Sequence, residues 1–221
     1  MRRPQRAARA CSAILLRQRS ARITAELQEG ADREAIDRKI WDTFGETWSV
    51  MFTDLSGFSR NAANFGIIHF IQVIVESEKL FAPVLNDHNA FIIKREGDSL
   101  MILFHNPKDA LDAAIAMQHA AQKFSMSKPP EEHVILCLGI SHGRILRLGS
   151  NEIFGNAVNS ASKLGEDTAG PHEILVTNDF VDAYDGGLDL DLEKIDFKPP
   201  GSDTAYMVKY RHAVLADKAS D

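Results

Sequence analysis

The sequence predicts an α+β fold in which helices pack on a mixed, largely antiparallel sheet. Apolar runs of strand length alternate with segments whose apolar residues recur at helical spacing, in the order β-α-α-β-β-α-β-α-β-α-β-β. Two of these runs flank the turn-forming residues Arg95-Glu96-Gly97-Asp98, which is typical of an antiparallel hairpin. This order is close to the ferredoxin-like arrangement, and we expect the helices to cover one face of the sheet.

The first half of the chain supplies one strand, a long helix and the hairpin. Residues 50–52 form a short apolar strand, and residues 61–85 have apolar side chains at helical spacing. We expect the hairpin strands at 91–93 and 100–104. Asn106-Pro107 then opens the next helix, because Asn caps a helix N-terminus and Pro is accepted in the first turn.

The second half alternates strands with helices. His142-Gly143 follows a strand, and we interpret it as a turn. We expect strands at 134–140, 173–176, 192–197 and 205–210, and helices at 157–168 and 178–184.

The length and composition indicate one domain with a sizeable core, since 44% of the 221 residues are hydrophobic. No run of about 18 apolar residues occurs, so we expect no transmembrane helix. The two cysteines, Cys11 and Cys137, form neither a disulfide framework nor a zinc motif. They fit a reducing compartment, and we expect a cytoplasmic protein.

Charge is distributed unevenly along the chain. Of the 25 Lys+Arg residues, seven are arginines within residues 1–22, a segment without acids. The remainder has 18 basic and 31 acidic residues, a net charge of −13, which argues against non-specific nucleic-acid binding. We expect a basic leader and short helical segment at 1–44, the main domain at 45–211 and a tail at 212–221. The leader suits a transit peptide, a peripheral membrane or regulatory contact, or a solvated tail.

Two carboxylates are candidates for metal binding. Asp54 follows the first strand, and Asp98 lies in the hairpin turn. If the two strands are neighbours, both side chains reach the same end of the sheet. Mg²⁺ needs a few oxygen ligands and leaves positions for water or phosphate. Taken alone, each aspartate is also explained as an ordinary turn residue.

Three segments resemble the motifs of the class III nucleotidyl cyclases, the adenylyl and guanylyl cyclase catalytic domain. Phe52-Thr53-Asp54-Leu55-Ser56-Gly57-Phe58-Ser59 is similar to the first metal motif, and Lys94-Arg95-Glu96-Gly97-Asp98 to the second. The segment from Glu152 to Lys163 resembles the third motif, which opens the nucleotide-binding helix. The motifs occur in the family's order, and the similarity spans about residues 48–210.

The resemblance implies a two-metal site and a purine site. Asp54 and Asp98 match the metal-binding aspartates, which would hold two Mg²⁺ or Mn²⁺ ions per active site. Lys94 and Glu152 match the two base-reading positions. A Lys donates to adenine N1 and a carboxylate accepts from the adenine amine, whereas guanine has the opposite pattern, so ATP is favoured over GTP.

Three further residues match positions that handle the ribose and the phosphates. Asn159 matches the ribose-orienting Asn, and Lys163 occupies the position at which most members have an Arg. A Lys supplies a point charge but not the planar, two-pronged contact of an Arg. Lys198 resembles a phosphate-binding Lys, although Pro199 replaces the Gly that usually follows it.

The implied reaction converts ATP to 3′,5′-cyclic AMP and pyrophosphate. In this family one subunit supplies the metal aspartates and the other the base and ribose residues, so a chain with both sets is expected to form a homodimer. Two alternatives stay open, a guanylate cyclase and a cyclase-like domain that binds nucleotide as a regulatory module with little or no turnover. An unrelated protein-interaction domain would require all three motif matches to be accidental.

Overall fold

The computed structural model describes residues 32–56, 66–148, 151–186 and 190–210. The predicted basic leader, the tail at 212–221 and the end of the first motif, Gly57-Phe58-Ser59, lie outside the described residues. The helices are α1 (Arg33–Phe44), α2 (Ile67–Asp87), α3 (Pro107–Ser125), α4 (Asn156–Asp167) and α5 (Asn178–Ala183), with a short 3₁₀ helix at Pro130–Glu132. The strands are β1 (Gly45–Leu55), β2 (Phe91–Glu96), β3 (Ser99–Phe104), β4 (Leu136–Arg147), β5 (Ile153–Phe154), β6 (Ile174–Thr177), β7 (Leu192–Ile195) and β8 (Ala205–Val208).

The strands form one open sheet in the order β2-β3-β1-β4-β6-β8-β7, with β5 paired to the end of β4. Within the described chain, β4 and β6 are parallel and the other neighbouring strands are antiparallel. The predicted α+β class with a mixed, largely antiparallel sheet is therefore confirmed. The predicted hairpin is formed by β2 and β3, and its turn contains Gly97 at φ 59°, a conformation that glycine adopts at little cost.

Helices pack on both faces of the sheet, so the prediction of a single covered face is wrong. On one face, Met51 of β1 packs with Phe81 of α2 and Leu111 of α3. On the other face, Val50 of β1 packs with Ala161 of α4. Successive strand residues point to opposite faces, and β1 is buried on both because helices cover both. Each fully buried large side chain contributes roughly 1.5–3 kcal/mol to stability.

The first strand and the fourth strand stay paired over their whole length. The sequence predicted a turn at His142-Gly143, whereas both residues lie inside β4. The Nδ1 atom of His142 is 2.9 Å from the Oγ atom of Ser49 on β1, and this hydrogen bond ties the two strands together. The ladder runs from Asp54 opposite Cys137 to Gly45 opposite Leu146, so it spans the sheet from one end to the other.

Local capping explains where two of the helices begin. The Oδ1 atom of Asn106 accepts a hydrogen bond from the N–H of Lys108 at 2.8 Å, which confirms the predicted cap of α3. The side chain of Asp32 accepts from the N–H groups of Glu34 and Ala35 and caps α1 in the same way. Among the residues that the structure describes, we find no helix with the length and apolar character needed to span a bilayer.

Candidate active site

Asp54 and Asp98 come together at one end of the sheet. Asp54 is the penultimate residue of β1, and Asp98 precedes β3, which pairs with β1 through Thr53 and Leu100. The two carboxyl groups hydrogen-bond to each other, and the N–H of Leu55 donates to both. The prediction that these two side chains reach the same end of the sheet therefore agrees with the geometry.

The environment of this pair disfavours two negative charges. Burial, followed by the charges of Asp98 and Glu166, raises the pKa of Asp54 to about 7. Burial also raises the pKa of Asp98. The pair therefore shares a proton when no cation neutralises it, as is typical of two adjacent carboxyl groups.

The donor set of this pair fits a hard divalent cation. Two carboxylates supply oxygen ligands and negative charge, which suit Mg²⁺ and Mn²⁺ better than softer ions. No group of three or more His, Cys, Asp or Glu side chains is arranged to ligate a metal ion in the described part of the chain. Ions held by Asp54 and Asp98 would therefore keep positions for water and phosphate oxygens, as two-metal phosphoryl-transfer sites do.

The thiol beside the pair is inert. Cys137 lies opposite Asp54 on β4 and is buried and free of disulfides. Burial, and the charge of Asp54, raises the pKa of Cys137 to about 12, so the thiol stays neutral.

Helix α4 packs against the sheet near Asp54 and Asp98 through two facing glycines. A Cβ atom at Gly139 would lie 2.2 Å from the backbone N of Gly165, so only glycine permits this contact between β4 and α4. Gly165 also lies close to β1, since a Cβ atom added to Gly165 would lie 2.6 Å from the backbone O of Phe52. The last turns of α4 therefore lie directly against β1, which carries Asp54 next to its last residue.

Asn159 and Lys163 lie on one exposed face of α4, as their spacing of four residues predicts. Glu166 continues this face one turn further, and the sequence reasoning missed it. Its carboxylate accepts from Ser99 Oγ at 2.8 Å and from Ser162 Oγ. The helical spacing i, i+4, i+7 of Asn159, Lys163 and Glu166 predicts that all three side chains lie on one face, and this spacing could have identified Glu166 from the sequence.

The three lysines that the resemblance assigns to the nucleotide are each paired with an acid of the same chain. Lys94 pairs with Glu96 on β2. Lys163 pairs with Asp167 at 2.9 Å, and Lys198 with Asp203 at 2.9 Å. These lysine side chains are 45–69% exposed, so each can exchange its partner for a phosphate or base at small cost.

The structure does not bring Glu152 to the carboxylate pair. Glu152 is exposed and precedes β5, where Ile153 lies opposite Arg147 of β4. From Arg147 back to Cys137, which lies opposite Asp54, β4 is about 30 Å long at 3.3 Å per residue. The predicted metal residues and Glu152 therefore lie near opposite ends of the same strand.

A cavity of about 440 Å³ lies beside the beginning of α4, and the sequence reasoning missed it because it treated His142 as a turn residue. Its lining includes Trp41, His142, Arg144 and Asn156. Arg144 donates to the backbone O of Trp41 at 2.8 Å and lies over the indole ring. Burial lowers the pKa of His142, so its ring stays neutral at physiological pH. The cavity thus lies between α1 and the start of α4.

Comparison with known proteins gives matches that include several cyclases. A family model for the adenylate and guanylate cyclase catalytic domain matches residues 43–209. Putative adenylate cyclase 3 of Rhizobium meliloti (strain 1021) is 22% identical over 143 residues, which are 65% of this chain and 24% of that protein. Human retinal guanylyl cyclase 1 is 23% identical over 218 residues, which are 89% of this chain and 20% of that protein. The chain therefore spans about a quarter or less of the length of these two relatives.

Solved structures of cyclases share the fold. The adenylate/guanylate cyclase/hydrolase from Silicibacter pomeroyi has a TM-score of 0.65 at 20% identity and covers 76% of this chain and 98% of its own. The adenylyl cyclase CyaB from P. aeruginosa has a TM-score of 0.61 at 20% identity and covers 76% and 96%. The family model spans most of the chain, including Asp54, Asp98 and α4. This chain belongs to the adenylate and guanylate cyclase catalytic domain family.

Proposed function

We propose that this protein is an adenylate cyclase that converts ATP to 3′,5′-cyclic AMP and pyrophosphate. The observation that carries the proposal is the adjacent pair of Asp54 and Asp98, whose carboxyl groups hydrogen-bond to each other and both accept from the N–H of Leu55. Two adjacent carboxylates that cannot both ionise unaided are suited to hold divalent cations. Bound Mg²⁺ or Mn²⁺ would lower the pKa of the ribose 3′-hydroxyl and offset charge on the phosphates.

The residues of this chain would then bind and orient the nucleotide. Asn159 would orient the ribose, and Lys163 on the same helix face would place a positive charge on the triphosphate. Lys198 would add a second positive charge after leaving Asp203. No covalent nucleophile is needed, because the ribose 3′-oxygen attacks the α-phosphate and pyrophosphate leaves.

The preference for ATP rests on the chemistry of two side chains. The Lys94 ammonium can donate to adenine N1, which is an acceptor, whereas N1 of guanine is a donor. The Glu152 carboxylate can accept from the adenine amine, whereas guanine has a carbonyl there. Curated relatives include both adenylate and guanylyl cyclases, so a guanylate cyclase is the competing assignment.

The separation along β4 supports a homodimer with sites between the subunits. About 30 Å of strand lies between the levels of Asp54 and Glu152. One nucleotide is too short to contact both ends of one chain. A second copy in a two-fold arrangement brings Asp54 and Asp98 of one chain close to Glu152 of the other, and does so twice.

Product analysis tests this proposal. The purified protein is incubated with ATP or GTP and Mn²⁺, and both cyclic nucleotides are quantified, with the dimer verified by light scattering. We expect cyclic AMP from the wild type, none from Asp54→Ala or Asp98→Ala, and wild-type amounts from Glu193→Ala, which removes an exposed acid on β7. Turnover in either aspartate variant at the wild-type rate would refute the metal assignment.

A second candidate function is nucleotide binding without turnover. The observation that favours it is that Lys163, already a departure from the usual Arg, is paired with Asp167 at 2.9 Å. This candidate predicts that the folded dimer binds ATP in the presence of Mn²⁺ and releases no cyclic nucleotide even at high protein concentration. Detection of cyclic AMP in the product assay excludes it.

A further inference from the structure

Glu166 connects the nucleotide helix to the turn that carries Asp98. One carboxylate oxygen of Glu166 accepts from Ser99 Oγ at 2.8 Å, and the other accepts from Ser162 Oγ one turn earlier on α4. Ser99 directly follows Asp98 and is buried. Because a hydroxyl group donates to each oxygen, the orientation of this carboxylate is fixed on both sides.

The same end of α4 is held against the sheet by backbone contacts. Gly165, the neighbour of Glu166, contacts Phe52 of β1 and Gly139 of β4 at distances that leave no space for a Cβ atom. Phe52 lies two residues before Asp54. Glu166 therefore cannot drift from the carboxylate pair while α4 keeps this contact.

Glu166 brings a third carboxylate to the turn that carries Asp98, because it accepts a hydrogen bond from Ser99, the next residue along the chain. A third carboxylate next to two others adds negative charge that attracts a divalent cation. Among the described residues, no three such side chains form a group that could hold a metal ion, so we consider Glu166 as a neighbour of the two aspartates rather than as a third ligand.

We propose that Glu166 is a positioning residue of the metal site, which holds the Asp98 turn through Ser99 and adds a third negative charge beside the two aspartates of its own chain. The inference rests on the proposed function. Residues that orient metal ligands typically change metal affinity 10- to 100-fold when replaced. Glu166 is exposed to screening solvent, so we expect the lower end of this range, about 10-fold.

Mn²⁺ binding in the absence of nucleotide provides the test. Free Mn²⁺ is measured by electron paramagnetic resonance while the metal alone is titrated into the wild type, Glu166→Gln, Glu166→Asp and Glu193→Gln. We expect Glu166→Gln to weaken binding about 10-fold at an unchanged Tm, because Gln keeps the shape and loses the charge. Glu166→Asp, which keeps the charge, should recover part of the affinity, and Glu193→Gln should bind like the wild type. Wild-type affinity in Glu166→Gln would overturn the inference.

A parallel titration of Asp54→Ala separates this inference from the proposed function. If Asp54→Ala binds Mn²⁺ like the wild type, the proposed metal site itself fails. If Asp54→Ala loses the metal while Glu166→Gln keeps it, the role of Glu166 alone is wrong. Ser99→Ala leaves the charge and removes the link, so we expect a smaller loss of affinity in the same direction.

Mixed dimers test whether Glu166 acts on the metal site of its own chain. One chain carries Asn159→Ala and Lys163→Ala, and its partner carries Asp54→Ala and Asp98→Ala, so a single complete site remains. Glu166→Gln should raise the Mn²⁺ concentration for half-maximal turnover only when it is placed on the chain that keeps both aspartates. An effect seen only when Glu166→Gln is on the chain that lacks both aspartates would contradict the proposal. That chain supplies Asn159 and Lys163 to the complete site, so Glu166 would then act through Lys163.

Discussion

Replacing Gly139 with Ala tests whether α4 has to touch the sheet directly. A Cβ atom at this position would lie 2.2 Å from the backbone N of Gly165 and 2.5 Å from the backbone O of Ala161. Non-bonded carbon contacts are favourable at about 3.5–4.0 Å, so α4 would have to move from β4 by about 1 Å or more. Both contacts are backbone atoms, which cannot rotate aside as a side chain can.

The cost of Gly139→Ala follows from that movement. Overpacking a close-packed interior costs about 1–3 kcal/mol, and backbone contacts belong at the upper end. We expect the free energy of unfolding to fall by about 3 kcal/mol, which lowers Tm by roughly 6–12 °C in a domain of this size. Asn159 and Lys163 move with the helix, and a misplacement of about 1 Å can reduce turnover roughly 100-fold.

Urea denaturation followed by circular dichroism measures the first effect, and cyclic nucleotide production measures the second. Gly170→Ala is the matched control, because its added Cβ would meet the flexible carboxylate of Glu173 at 3.2–3.3 Å. We expect this control to stay within about 0.5 kcal/mol of the wild type. A Gly139→Ala variant as stable as the control would refute the argument that α4 and β4 require glycine at their contact.

Four further predictions concern base specificity, phosphate binding, and the pH dependence of metal binding and of stability. Lys94→Glu should lower the ratio of kcat/KM for ATP to kcat/KM for GTP by about 10-fold or more. The control Lys79→Glu, on α2, should leave this ratio unchanged. An unchanged ratio in Lys94→Glu contradicts the base-reading role of Lys94. Lys163→Ala should lower kcat by about 100-fold in steady-state assays, whereas Lys163→Arg should retain or raise kcat. A wild-type kcat in Lys163→Ala contradicts the proposed contact between Lys163 and the phosphates. The pKa of Asp54 is about 7, so calorimetry should show Mn²⁺ binding that strengthens as pH rises from about 6 to 8, and an affinity that stays constant across this range contradicts the raised pKa. The metal-free folded protein retains the Asp54 proton between about pH 4 and 7 while the unfolded chain loses it, so its free energy of unfolding should fall as pH rises through that window.

The sequence was sufficient for the hairpin and for the meeting of Asp54 with Asp98, because both depend on local signals. Turn-forming residues between two apolar runs specify an antiparallel pair, and the position of Asp98 in the turn then follows. The placement of α4 on the opposite face was missed although Trp48–Phe52 is a continuous buried run, which is typical of a strand covered on both sides. Glu166 was missed for a different reason, since its partner Ser99 is 67 residues away and no motif joins them.

The paired lysines explain how a strongly acidic domain can accept a polyphosphate. Outside residues 1–22 the chain has a net charge of −13, and Lys94, Lys163 and Lys198 each neutralise a nearby acid rather than standing unpaired. Exposed ion pairs contribute only about 0–1 kcal/mol each, so exchanging a carboxylate partner for a phosphate oxygen costs little. After the exchange, Asp167 and Asp203 are no longer neutralised by Lys163 and Lys198. Their negative charges then repel the triphosphate, so they oppose the binding of a triphosphate without metal ions. A nucleotide that already carries divalent cations avoids this repulsion and also satisfies Asp54 and Asp98. The charge distribution therefore favours the metal-bound nucleotide as the species that enters the site.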